Sequence, residues 1–98
     1  MEKGTPHCKL SVVKTLVRAG KVRTTTSAVI DARLLGFDRA GMIELVLALA
    51  PGDFYKSMTT FADHTIWQDV YRPQTPAGDV YLKLTVMDDV LIVSFKEL

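Results

Sequence analysis

The sequence is short of cysteine, of long apolar runs and of glycine-rich loops, and each shortage removes a class of protein. Cys8 is the sole cysteine in 98 residues, so neither an internal disulfide framework nor an all-cysteine metal site can form. No apolar run approaches the ~20 residues that a membrane-crossing helix needs. The stretch from Leu10 is too short for a secretory leader and is interrupted by Lys14 and Arg18, which makes the cytoplasm the expected compartment. His7, Cys8 and His64 do not have the spacing of a metal-ligand set. No Ser/His/Asp arrangement has positional support, and no glycine-rich loop is present to cradle a nucleotide. Repeats, linkers and low-complexity segments are also lacking, so residues 1–98 are expected to form a single domain.

What is present is an ordinary globular composition with an uneven charge distribution. Apolar residues make up 48% of the chain, enough for a real core. The net charge of +1 conceals a basic head: residues 1–23 carry six Lys/Arg against Glu2 alone, a net +5. Residues 24–98 carry six basic and ten acidic groups, a net −4. Such polarity suits an anionic partner, and equally a solvated helix face.

Periodicity divides the chain into helices followed by strands. Thr5-Pro6 reads as a helix opening, with Leu10, Val13, Leu16 and Val17 as the apolar face and Gly20 as the stop. Lys21 to Thr25 reads as extended. A second helix is expected over Ser27–Leu35, with Ala28, Ala32 and Leu35 inward and Gly36 as terminator. Asp38 caps a third, whose stripe of Met42, Leu45, Val46 and Leu49 ends at Pro51-Gly52. From there the period becomes two, and strands are expected over Lys56–Phe61, Ile66–Pro73, Val80–Val86 and Val90–Lys96. The fold class is therefore α+β: N-terminal helices packed on a twisted, mostly antiparallel sheet.

Hairpin register converts this into a site. A two-residue turn at Asp88-Asp89 would pair Leu82 with Phe95, Leu84 with Val93 and Val86 with Leu91 on an apolar face. The opposite face then pairs Tyr81 with Lys96 and Lys83 with Ser94. A four-residue turn at Thr75-Pro76-Ala77-Gly78 sets Arg72 against Tyr81 and Gln68 against Thr85 on that same polar side. Trp67 and Tyr71 turn to the apolar side, where Asp69 fits poorly unless near an edge. One face thus collects Gln68, Arg72, Tyr81, Lys83 and Lys96, with Lys56 nearby in unfixed register. Cations, a phenol and an amide can hold a phosphodiester and stabilise a pentacovalent phosphorane. On residue chemistry alone, backbone binding ranks ahead of catalysis, since a solvated polar sheet face is common. His7 and His64 read as structural, Trp67 as core and Cys8 as inert.

The segment "DFYKSMTTFADHTIWQDVYRP" (53–73), followed by "VYLKLTV" (80–86) and "DVLIVSFKEL" (89–98), closely resembles the motility quorum-sensing regulator family of mRNA interferase toxins. "MEKGTPH" (1–7), "VRTTTSA" (22–28) and "LGFDRAGM" (35–42) match as well, so the resemblance spans essentially the whole chain. Phe61 departs from it, standing where tyrosine is expected. The resemblance implies a RelE-like fold and a type II toxin–antitoxin toxin that cleaves mRNA without the ribosome. It places catalysis on Lys56, Gln68, Tyr81 and Lys96, with Met58 and Arg72 beside them, and Lys83 joins the RNA-binding set from the register. It implies no cofactor and no metal of the toxin's own. The expected partners are mRNA and an antitoxin with a zinc-binding N-terminal domain and a helix-turn-helix DNA-binding domain. The competing expectation is a non-catalytic module that binds nucleic acid or protein.

Such chemistry takes the ribose 2′-hydroxyl as nucleophile, so the protein must orient it, neutralise the phosphorane and move two protons. A lysine accepts a proton at neutral pH only where cations or desolvation disfavour its charged form. Lys56 and Lys96 are the pair expected to act on one another in this way.

Overall fold

In the computed structural model, which describes all of residues 1–98, the chain runs β1 (Glu2–Lys3), α1 (Leu10–Arg18), β2 (Val22–Thr24), α2 (Thr26–Leu34) and α3 (Arg39–Ala48). A 3₁₀ turn at Pro51–Asp53 leads into β3 (Phe54–Thr59), β4 (Trp67–Tyr71), β5 (Gln74–Thr75), β6 (Gly78–Val86) and β7 (Val90–Glu97). The sheet order is β1-β3-β4-β6-β7-β2, with β5 pairing β6 off this path. All pairings are antiparallel except β2 with β7, which is parallel. This is the expected α+β arrangement of helices on a mostly antiparallel sheet.

Helices of nine, nine and ten residues are too short to persist alone, so burial of one face holds them. Val13 and Val17 of α1, Ala28 and Ala32 of α2, and Met42 and Val46 of α3 are buried in a core shared with Leu82, Leu84, Ile92 and Phe95 of the sheet. Thr25 caps α2 by accepting from the Ala28 amide at 3.1 Å, and Asp38 caps α3 by accepting from Gly41 at 2.7 Å. After α1, Gly20 takes φ +78°, which lets the Lys21 amide reach back to the Leu16 carbonyl at 2.9 Å.

The helix opening at Thr5-Pro6 is a correction. The first helix begins at Leu10, and Lys9 at its N-cap makes no side-chain capping bond. Long-range bonds hold the preceding segment out of the helix: the Asp69 carboxylate accepts from the His7 amide at 2.9 Å and from Cys8 at 3.0 Å. Those bonds explain how a carboxylate sits buried among apolar neighbours. Upstream of the strap, Glu2 pairs with Met58 and Lys3 with Ser57, adding a strand that periodicity did not reveal.

Hairpin registers are right in part. Between β4 and β6, Asp69 pairs with Leu84, Val70 with Lys83 and Tyr71 with Leu82, the register the four-residue turn demands. The expected Gln68–Thr85 and Arg72–Tyr81 pairs fall just beyond this ladder, which stops before Pro73 because proline cannot donate. Between β6 and β7, Tyr81–Lys96, Leu82–Phe95 and Lys83–Ser94 pair as expected. Nearer the turn the ladder slips by one, so Leu84 meets Ile92 and Val86 meets Val90, not Val93 and Leu91. A bulge at Val93 accounts for the slip, and the Thr25 hydroxyl donates to its carbonyl at 2.9 Å. The turn consequently spans Met87 to Asp89, with Asp89 ion-paired to Arg23 of β2.

Candidate active site

Pleating sends alternate residues of β3, β4, β6 and β7 to the face opposite the core. Register arranges them in rows. Lys56, Val70, Lys83 and Ser94 stand side by side across the four strands. On one side of that row lie Met58 and Gln68, paired with each other and with Glu2 at the sheet margin. On the other side lie paired Tyr81 and Lys96, with Arg72 just past the end of β4. All seven side chains expected from sequence therefore share one face. Val70, in the middle of it, has no exposed surface, so the stems of its long neighbours lie across it.

Aromatic rings tie the cations together. The Lys83 Nζ lies 5.7 Å and the Lys96 Nζ 5.5 Å from the Tyr81 ring centre. Arg72 and Lys56 flank a second ring, that of Tyr55, at 4.6 Å and 5.4 Å. Tyr55 is a residue that pattern reading missed. A register shift between Phe54 and Lys56 inserts one extra residue opposite β4, which breaks strict alternation. The bulge was invisible to period-two counting because nothing in "FYKS" departs from a strand-like composition.

Glu2 was missed too. Its carboxylate lies 2.7 Å from the Lys56 Nζ and forms an ion pair with it. Residues 54 positions apart meet through the pairing of β1 with β3, and no local sequence signal reports it. The hydrogen bond to Glu2 raises the Lys56 pKa above the ordinary lysine value and lowers that of Glu2. The expected mutual weakening of Lys56 and Lys96 therefore does not describe Lys56, which the carboxylate holds firmly cationic. Lys83 shifts the other way: burial, then the charges of Lys96 and Lys56, push its pKa below the usual range.

Elsewhere, His7 stacks on Trp67 at 5.5 Å and the Lys3 Nζ sits 4.1 Å over the indole. Trp67 is thus only half-buried and braces the N-terminal strap, not the core centre. Burial raises the Cys8 pKa. No group of three His, Cys, Asp or Glu side chains is gathered where it could hold a metal ion. No helix is long and apolar enough to cross a membrane.

A face of four cations, two phenols and an amide, with carboxylates only toward its margins, can bind a phosphodiester and stabilise added charge on phosphorus. Comparison with known proteins points the same way. Residues 5–97 match the family described as motility quorum-sensing regulator, toxin of MqsA. The chain is 64% identical over 97 residues, covering 99% of both sequences, to the mRNA interferase toxin MqsR of Escherichia coli (strain K12). The chain belongs to the motility quorum-sensing regulator family of toxins.

Proposed function

We propose that the open sheet face is the active site of an endoribonuclease that cleaves mRNA by attack of the ribose 2′-hydroxyl on the adjacent phosphate. The observation that carries this reading is the convergence of Lys56, Gln68, Tyr81 and Lys96, with Met58, Arg72 and Lys83, on the sheet face opposite the core. The relative's name, an mRNA interferase, supports the same chemistry. Because the nucleophile belongs to the substrate, the protein supplies only position, charge and proton transfer. Lys56, kept protonated by Glu2, and Lys96 neutralise the phosphorane; Tyr81 between Lys83 and Lys96 is placed to move a proton. Gln68 and Met58 position the nucleotide at one side of the row, and Arg72 clamps a neighbouring phosphate at the other. The step needs no metal, and its products are a 2′,3′-cyclic phosphate and a 5′-hydroxyl.

Acting on mRNA places the work in the cytoplasm. A toxin of this kind requires a partner to silence it, an antitoxin carrying a zinc-binding N-terminal domain and a helix-turn-helix domain. The zinc would then be the partner's. Incubation of pure protein with a messenger fragment in EDTA tests the reading. Cleaved RNA is the expected result; a gel shift with intact RNA would make the chain a non-catalytic binding module.

A further inference from the structure

We propose that Lys83 is the group that takes the proton from the 2′-hydroxyl, a role separate from the phosphate-binding work of Lys56. This rests on the ribonuclease reading above. Lys83 occupies the middle of the face, paired on one side with Val70 and on the other with Ser94. It is half-buried, whereas Lys96 and Arg72 are exposed. Its ammonium group has no carboxylate within ion-pairing distance, while that of Lys56 has Glu2 at 2.7 Å.

The groups facing it are mostly positive or aromatic. Lys56 acts on it from β3, Tyr81 along β6 and Lys96 from β7, while Arg72 at the end of β4 is stacked on Tyr55. Of the carboxylates on this face, Glu2 is engaged by Lys56, and Asp79 stands at the far end of β6 beyond Tyr81. Charge on Lys83 is therefore disfavoured by burial and by two like neighbours, with no carboxylate ion-paired to it. A lysine in such surroundings is the one that can be neutral while the cations around it stay charged.

The step balances without a co-reactant. The neutral Lys83 amine accepts the 2′-hydroxyl proton as the 2′-oxygen bonds to phosphorus. The P–O5′ bond breaks, and the 5′-oxygen takes a proton from the Tyr81 hydroxyl. The Lys83 ammonium then returns its proton to the Tyr81 phenolate, restoring both groups. Residues 81 and 83 stand about 7 Å apart along one strand, a separation that lets their side chains reach opposite sides of a single phosphate, as in-line displacement requires.

The test compares Lys83→Arg and Lys83→Gln with the unaltered protein in single-turnover cleavage of an RNA oligonucleotide across pH. Melting temperature checks the fold, and binding is measured on the same oligonucleotide with a 2′-deoxy cleavage site. Arginine keeps the charge but cannot give up its proton. Lys83→Arg is expected to bind the deoxy analogue within about threefold, yet to cleave at least ~10²-fold more slowly, the scale of losing a general base. Its rate should also lack the rise toward alkaline pH that is expected of the unaltered protein. Lys83→Gln should be equally slow. A substrate with sulfur in place of the 5′-oxygen, whose departure needs no proton, should restore Tyr81→Phe but not Lys83→Arg. Lys83→Arg cleaving within tenfold of the unaltered protein, with the same pH profile, would overturn the proposal and leave Lys83 a phosphate-binding cation. Absence of cleavage by the unaltered protein would instead overturn the ribonuclease reading.

Discussion

Lys56 and Lys83 are one residue type on one face, and their surroundings drive them apart. Glu2 fixes the first as a cation, and burial among cations loosens the proton of the second. Lys56→Ala and Lys96→Ala should each slow RNA cleavage ~10²-fold or more, as loss of an oxyanion donor does. Melting temperature should hardly change, because both side chains project from the face opposite the core; a large fall would mark them as structural. Tyr71 allows a different test. Its hydroxyl is buried with no protein partner, and burial, with help from Asp69 and Cys8, pushes its pKa up to about 12. The unfolded chain ionises Tyr71 near 10 while the folded one keeps the proton. Stability should therefore hold below pH 10 and fall as pH rises from 10 toward 12. Tyr71→Phe keeps the ring and removes the hydroxyl, so denaturant titration should find it at least as stable at pH 7 and less sensitive to alkali. Lower stability at pH 7 would show that the hydroxyl has a partner that matters.

The two-residue strand β1 has an effect out of proportion to its length. It carries Glu2 to Lys56, and the segment behind it is pinned where Asp69 accepts the His7 and Cys8 amides. Asp69→Ala leaves two amides without their charged acceptor and should cost about 3 kcal/mol in denaturant melts. Amide exchange should accelerate first at His7 and Cys8; unchanged protection there would contradict the strap. Much of this scale was legible in the sequence. The stripes of α1 and α3, the caps at Asp38 and the stops at Gly20 and Gly36 are local, and periodicity reports them. Tyr81–Lys96 and Lys83–Ser94 were legible because an apolar face of Leu82 and Phe95 admits one register. Asp69 looked misplaced because its partners lie 61 and 62 residues away. The two bulges, at Tyr55 and Val93, were hidden because each is set by neighbouring strands and not by composition. Glu2 and Tyr55 were missed for those two reasons, one of distance and one of parity.

At the scale of the molecule, α1, which carries much of the basic head, and the polar face lie on opposite sides of the sheet. α1, with Lys9 before it and Lys14 and Arg18 along it, packs Val13 and Val17 into the core. The rows proposed to be catalytic occupy the face opposite the core. An acidic antitoxin domain that docks on α1 would leave those rows open and act by blocking RNA access or restricting motion. Charge reversal at Lys14 and Arg18 should then slow association, measured by surface-immobilised antitoxin, and steepen neither dissociation nor loss of cleavage. Unchanged association, with binding lost in Lys96→Ala, would point to a plug across the rows. The central claim, that this face cleaves RNA through the substrate's own 2′-hydroxyl, is met most directly by one substrate pair. An RNA oligonucleotide and its twin lacking the 2′-hydroxyl at the cleaved position are incubated with the protein in EDTA, and the fragment ends are read by mass spectrometry. The expected result is cleavage of the first alone, leaving 2′,3′-cyclic phosphate and 5′-hydroxyl ends; cleavage of both, or 5′-phosphate ends, would contradict it.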